Sequence, residues 1–274
     1  MHTIQYKTPH LTVFESALFR TTTTVVETDD LLLLVDPNWL PREIEHIQQV
    51  VKNKQGDKPL YLLFTHSDYD HIIAYRAFEN AQIIASQAFI DNKNKASILQ
   101  QIKDWDDENY IKRNYPIAYP QVDIPIKKDG QQLIIGATTL TFYLAPGHNI
   151  DGIFTLIEPL GIWIAGDYLS NIEFPYIYHS SDAYEQTLAK VQPILKKHHP
   201  QILVTGHGDI ALTHREILQR QSDAYAYIHA LRTALQKGVT FDFEELMEAY
   251  DFPKIMKAFH DGNVALMKKE LSNA

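Results

Sequence analysis

The sequence predicts an α/β fold made of two β-rich halves, each followed by helices. Three observations carry this expectation. Leu31–Val35 and Leu60–Phe64 are short continuous apolar runs on either side of a helical segment, the pattern of a βαβ unit with a parallel strand pair. Beyond residue 119, strand-like segments alternate with the turn signals Asp129-Gly130 and Gly136-Ala137. Helical segments at 182–197 and 213–236 then close the second half.

Residues 11–19 and 21–27 are rich in Thr, Val and Phe and read as paired strands, and the β-branched run Thr21–Thr24 suits a pleated surface. Leu31–Val35 ends in Asp36-Pro37 and reads as a buried strand. Pro41 opens a helix to about Asn53 with Ile44, Ile47 and Val51 on one face, and Gly56 and Pro59 end it. Residues 72–79 are expected to be helical and 82–85 a strand. The stretch 86–115 reads as mostly helical, an insertion or lid in which Lys103–Arg113 forms a solvated, charged face. Residues 131–135 and 138–144 form a hairpin, and strands follow at 153–157 and 161–165, linked by Pro159. After the helix at 182–197 come a strand at 201–204 and an amphipathic helix at 213–236 that Gly238 stops. Residues 240–273 read as two more helices, broken near Pro253 and Gly262.

The composition narrows the chemistry. The 274 residues include no cysteine, so disulfides, thiolate zinc sites and iron–sulfur clusters are excluded. Any metal must be held by His, Asp, Glu or backbone oxygen. The net charge of −9 disfavours nucleic acid or an anionic membrane as a partner. A small anionic substrate stays open, because metal ions reverse the local field. No basic segment followed by an apolar run opens the sequence, and the apolar runs are too short to span a bilayer. The expectation is a cytoplasmic protein acting on a small molecule, with no nucleic-acid or membrane partner. The oligomeric state is open, a homodimer being one candidate.

Metal-capable side chains concentrate in four places where predicted strands run out, and strand ends are where α/β folds gather ligands. The first is His66-x-Asp68-x-Asp70-His71. In an extended chain His66, Asp68 and Asp70 project to one side, and His71 follows as a helix begins. The bland alternative is a helix N-cap cluster with Asp68 or Asp70 capping. The others are Pro146-Gly147-His148, Ala165-Gly166-Asp167 and Thr205-Gly206-His207-Gly208, each an ordinary turn when taken alone.

Taken together, the ordered series HxDxDH, PGH, GD and GHG resembles the metallo-β-lactamase superfamily, whose members carry HxHxDH, then a lone His, a lone Asp and a final His. The resemblance runs from about residue 11 to 208. Arg215 to Leu235, with Gly238, Thr240 and Glu245, resembles the helical tail of glyoxalase-II-like and lactonase-like members. It implies a four-layer αβ/βα sandwich with a binuclear metal site at one edge of the sheets. Residues 1–212 would form the catalytic domain, and 213–274 a helical extension packed on it. By position, one divalent cation falls to His66, Asp68 and His148 and the other to Asp70, His71 and His207. Asp167 would bridge both, together with a water or hydroxide.

Asp68 departs from the family pattern, since most hydrolytic members have His there. Two divalent ions against Asp68, Asp70 and Asp167 leave one positive charge, which a hydroxide cancels; with His at 68 that charge would survive. A less positive site polarises its water less, and a harder oxygen ligand moves preference from zinc, the first expectation, toward iron or manganese. Flavodiiron proteins carry Glu at this position, although their flavodoxin domain is missing from this sequence. The resemblance implies hydrolysis of an ester, lactone, thioester or phosphoester by metal-activated water, with Asp70 and Asp167 catalytic. The alternatives are a diiron redox protein that binds or reduces oxygen or nitric oxide, and a non-catalytic binding relative. Tyr69, Asn149, Tyr168 and His179 are candidate substrate contacts, with packing the stronger expectation for each. His198 and His199 suit a helix C-terminus. His2, His10, His46, His214, His229 and His260 lack metal-like spacing.

Overall fold

The structure, a computed structural model, describes residues 3–247 and 250–273. His2 and the side chain of Glu245 lie outside the described residues. One sheet holds seven strands in chain order: β1 (Thr3–Lys7), β2 (Leu11–Glu15), β3 (Thr22–Glu27), β4 (Leu32–Val35), β5 (Leu60–Leu63), β6 (Gln82–Ser86) and β7 (Ile124–Ile126). The first four pair antiparallel and β4 to β7 run parallel. The predicted βαβ unit is present: α1 (Pro41–Gln55) links β4 and β5, which pair from Leu32 opposite Leu60 to Val35 opposite Leu63. Helices α2 (Tyr69–Ile72), α3 (Gln87–Asp91) and α4 (Lys95–Glu108) complete the first half.

The second sheet has the order β12-β11-β10-β9-β8. It is formed by β8 (Gln131–Ile135), β9 (Thr138–Leu144), β10 (Ile153–Glu158), β11 (Ile162–Ile164) and β12 (Ile202–Val204). The hairpin of β8 and β9 turns at Gly136-Ala137 as expected. Helices α5 (Ser181–Leu188), α6 (Val191–His198), α7 (His214–Lys237), α8 (Phe243–Met247) and α9 (Pro253–Ser272) cover this sheet and its open end.

Alternation along the strands builds the layers. Leu33 and Val35 of β4 face inward, where they meet Leu140, Phe142, Ile157 and Ile164 of the other sheet in one dry cluster. Their neighbours Leu32 and Leu34 face outward onto Ile44, Ile47 and Val51 of α1. Phe154, Leu156 and Trp163 likewise face outward onto Leu188, Ile194, Ile228 and Met256. The result is helices, sheet, sheet, helices, the αβ/βα sandwich, with the C-terminal helices packed on the same outer cluster as α5 and α6. No described helix is long and apolar enough to cross a membrane.

Several local expectations are corrected. The expected 72–79 helix starts earlier, at Tyr69, and gives way to a 3₁₀ turn at Tyr75–Ala77. The expected 182–197 helix is two helices, α5 and α6. Gly262 does not break α9. A Cβ there would lie 3.2 Å from the Tyr176 ring, so glycine makes room for that ring rather than ending a helix. Lys103–Arg113 is not wholly a solvated face: the Arg113 side chain is buried and forms a two-pronged ion pair with Asp106 at 2.8 Å.

The C-terminal helix is tied to the sandwich by a buried amide. Asn263, fully buried, accepts from the Ile177 N–H at 2.8 Å and donates to the Pro175 carbonyl at 2.6 Å and the Tyr227 hydroxyl at 2.9 Å. Replacing it strands buried donors and acceptors in a closed site. Asn263→Ala should lower unfolding stability by about 3 kcal/mol, measured by urea denaturation; an unchanged midpoint would show that these bonds do not hold the helix.

Candidate metal centre

The four motifs converge at one edge of the sandwich, beyond the ends of β5, β9, β11 and β12. The sheets are pinned together there. The Thr22 N–H donates to the Gly206 carbonyl at 2.7 Å, and the Ile153 N–H to the Thr65 carbonyl at 2.9 Å. All seven predicted residues meet, in two groups whose donor atoms lie within 4.8 Å of one another: His66, Asp68, His148 and Asp167, and beside them Asp70, His71 and His207.

In the first group His148 Nε2 lies 3.1 Å from Asp68 Oδ2 and 3.4 Å from Asp167 Oδ2, and His66 Nε2 lies 3.4 Å from the same Asp167 oxygen. In the second, His71 Nε2 is 3.6 Å from Asp70 Oδ2 and 3.3 Å from Asp167 Oδ1, and His207 Nε2 is 3.4 Å from Asp70 Oδ2. Apart from the 3.1 Å contact of His148 with Asp68, these are too long for strong hydrogen bonds. They match the edge of a tetrahedron, about 3.4 Å, around a cation about 2.1 Å from each donor. His66 Nε2, His71 Nε2 and Asp167 Oδ1 are buried with no hydrogen-bond partner, a costly state that a shared cation relieves. A Cβ on Gly206 would sit 2.0 Å from Asp167 Oδ1, so glycine keeps that carboxylate in place. The residues present fit a pair of divalent cations.

His66, Asp68 and Asp70 do not project together from an extended strand. Asp68 is the extended residue before α2, and Asp70 sits on its first turn, so the two carboxylates turn toward different groups. Asp68 does not cap the helix through its side chain either. Its Oδ1 accepts from Asn149 Nδ2 at 2.6 Å, which leaves Oδ2 toward His148.

Each imidazole is aimed by its other nitrogen. His148 Nδ1 donates to the Tyr176 carbonyl at 2.7 Å and His207 Nδ1 to the Phe19 carbonyl at 3.0 Å. Thr65 Oγ1 donates to Asp36 at 2.6 Å, so it accepts from His66 Nδ1 at 3.0 Å. His71 Nδ1 donates to Asp36 Oδ2 at 3.0 Å, and Asp36 Oδ1 also takes the Thr65 N–H at 2.9 Å. Asp36 is buried at φ 44°, a strained conformation that its three bonds maintain. In the sequence Asp36 reads only as a strand end. An Asp-Pro just past a buried strand, at the same sheet edge as the motifs, was its one available signal. Trp39 and Glu173, which line the cavity beside the cluster, carry no such signal, and Glu173 Oε1 lies 3.9 Å from His207 Nδ1.

Charge in the cluster is balanced across the two kinds of side chain. Burial works against a charged imidazole at His66, His71 and His207, yet the carboxylates outweigh it, Asp167 foremost at His66 and His71 and Glu173 at His207. His71 is pushed up to about 10 and the other two well above the ordinary imidazole value. Burial likewise opposes charge on Asp68 and Asp167, but the neighbouring imidazoles hold both well below the ordinary carboxylate value. Burial pushes Glu173 up. The cluster demands positive charge, as protons or as metal.

The other candidates brace the cluster, line its cavity or lie apart from it. Tyr168 braces the His148 turn, accepting the His148 N–H at 3.1 Å and donating to the Pro146 carbonyl. Asn149 serves Asp68, His179 is exposed, and Tyr69 packs edge-on to Trp39 in the wall of the cavity beside the cluster. His198 is held by Glu158 and Tyr143, and His229 by Glu185.

An αβ/βα sandwich carrying a His/Asp cluster at its strand ends defines a class of α/β protein with a candidate cation site. Residues 17–207 match the sequence pattern of the metallo-beta-lactamase superfamily, and the chain belongs to that superfamily. A metallo-beta-lactamase family protein from Thermus thermophilus shares the fold at TM-score 0.60 and 18% identity, over 83% of this chain and 82% of that one. A stereoselective inverting sec-alkylsulfatase from a Pseudomonas species aligns at TM-score 0.66 and 14% identity, over 95% of this chain and 50% of that one. A superfamily protein from the archaeon Sulfolobus tokodaii aligns at 0.53 and 13%, over 98% and 100%. No curated protein matches the sequence significantly.

Two outcomes follow from the bracing and the charge. Asp36→Asn keeps the side-chain shape but weakens the acceptor for His71 and should reduce metal affinity about 10- to 100-fold; equal affinity in a chelator competition would mean Asp36 does not aim the ligand. Metal must displace protons from imidazoles held above their ordinary 6.5, so affinity should climb as pH rises from 6.5 toward about 10. Calorimetry in buffers of different ionisation enthalpy should show net proton release at pH 7; uptake or no exchange would contradict the charge balance.

Proposed function

We propose that this protein is a metal-dependent hydrolase with a binuclear centre. His66, Asp68 and His148 would hold one divalent cation, Asp70, His71 and His207 the second, and Asp167 would span both. The observation that carries this is the tetrahedral-edge spacing of His66 Nε2 (3.4 Å) and His71 Nε2 (3.3 Å) from the Asp167 carboxylate, both nitrogens being buried without a hydrogen-bond partner. When bound, such a pair supplies an activated water and polarises an acyl or phosphoryl oxygen.

The chain's own residues do the rest. Asp167 presents Oδ1 toward His71 and Oδ2 toward His66 and His148, which suits one carboxylate serving two cations. Asp70 would orient the attacking water or take its proton, although a ligand carboxylate is a weakened base. Asn149 holds Asp68 so that one oxygen stays available. Residues 1–212 are proposed as the catalytic domain and 213–274 as an extension whose helix α9 completes the cavity wall through Ile255 and Phe259. Structural relatives include a sec-alkylsulfatase and β-lactamases, so the fold accommodates more than one scissile bond. Zinc is the expected metal, with iron or manganese favoured to the extent that Asp68 binds.

Asp68 also supports a second reading, a diiron redox protein, since its Oδ2 faces His148 at 3.1 Å as an oxygen donor. Metal analysis after purification without added metal separates the two: two irons per chain with a visible absorption band would favour redox chemistry.

His71→Ala and Asp167→Ala should each abolish hydrolysis on a panel of lactone, thioester and phosphodiester substrates supplied with zinc, manganese or iron, while the circular dichroism spectrum is kept. Wild-type rates in either variant would remove the assignment. Asp68→His should shift bound metal toward zinc; an unaltered metal content would show that Asp68 is not a ligand.

A further inference from the structure

We propose that the cavity beside the metal centre takes an uncharged carboxylic ester or lactone with an apolar acyl group, and that it discriminates against substrates carrying a second, anionic group. This rests on the hydrolase reading above.

The cavity, about 550 Å³ including the open solvent at its mouth, lies directly over Asp68, Asp70, His148 and His207. Trp39 and Tyr69 form one wall, their rings 5.5 Å apart and edge-on. Tyr176, Tyr178, Ile255 and Phe259 form the other. That second wall is continuous: Phe259 stacks on Tyr176 at 3.9 Å, Tyr176 meets Tyr178 at 4.2 Å, and Tyr178 stands 5.5 Å from the His148 ring. An acyl chain leaving the reacting carbon at the cluster therefore meets aromatic surface on both sides.

The charges point the same way. Besides its tyrosines, the ionisable side chains that line the cavity are carboxylates and imidazoles, and no lysine or arginine is among its described lining residues. The arginines attached to the surrounding structure are already committed. Arg113 binds Asp106 and the Trp39 carbonyl, Arg220 binds the Leu169 and Asp209 carbonyls and Glu216, and Arg20 binds Glu15 and Asp209. With Asp68 in place of a histidine, the three carboxylates of the cluster cancel most of the charge of two divalent cations. A carboxylate, sulfate or phosphate away from the reacting bond would lose its water with no countercharge to meet it, next to Glu173 and Asp68. Apolar substituents lose nothing by the same transfer.

A matched pair tests this on the metal-loaded, full-length protein: 4-nitrophenyl hexanoate and the mono-4-nitrophenyl ester of adipic acid, which share chain length and scissile bond and differ by one terminal carboxylate. The hexanoate should be favoured at least about tenfold in kcat/KM, and Phe259→Ala and Tyr178→Ala should narrow that ratio by raising its KM. Equal rates, or a preference for the adipate, would overturn the proposal while leaving the hydrolase reading intact. If neither ester is cleaved, the hydrolase reading loses support, and calorimetric binding of the unreactive hexananilide and adipic acid monoanilide still decides the cavity's preference. Tighter binding of the neutral anilide supports the proposal; equal or weaker binding ends it.

Discussion

Everything at the working edge of this protein depends on one electrostatic constraint. Three carboxylates and four imidazoles are packed into a nearly dry space, where like charges repel and unpartnered polar atoms are costly. Protons or divalent cations between them make the arrangement tolerable. The raised imidazoles and depressed carboxylates are two faces of this requirement, and the donor spacings are the geometric form it takes. The rest of the fold keeps these side chains from relaxing apart.

The bracing is layered. Asp36, held in a left-handed conformation, ties the end of β4 to Thr65 and His71, so the first sheet aims two imidazoles through one carboxylate. Threonines of the 21–24 run do similar work, within the first sheet and across to the second. Thr21 takes the Trp39 indole N–H, Thr22 bonds the Thr205 carbonyl, and Thr23 bonds the Asp36 carbonyl. On the far side, α9 reaches the centre indirectly: Asn263 grips Pro175 and Ile177, and the Tyr176 carbonyl between them receives His148. The C-terminal helix thus contributes both a wall of the cavity and a support for one imidazole. Gly262, which lies under the Tyr176 ring, belongs to the same contact.

Much of the core was legible in the sequence because strand alternation and helix periodicity are local properties. Leu31–Val35, Leu60–Phe64, the hairpin at 131–144 and the helix stopped by Gly238 all fall within a residue or two of their expected positions. The errors occurred where a distant contact overrode a local signal. Gly262 reads as a break but sits inside a helix because an aromatic ring needs its space, and Arg113 reads as solvated but is buried by Asp106 and Trp39. The edge strand β1 gave no signal because it pairs on one side only and stays mostly exposed, so it carries no apolar alternation.

The sequence by itself determined the inventory: which side chains can bind a cation, that sulfur takes no part, and that each motif follows a strand. It also determined the superfamily, because ordered motifs are a one-dimensional property. Only the tertiary structure decided the partition, with Asp68 beside His66 and His148 and Asp70 beside His71 and His207, because two positions in the chain separate an extended residue from a helical one. It alone exposed Asp36, Asn149 and Asn263 as supports and brought the 252–263 segment against the cavity, since these contacts span from about thirty to more than eighty residues of chain. Local periodicity carries no information about which distant surfaces meet; burial and hydrogen-bond satisfaction, which settle that, exist only once the chain is folded.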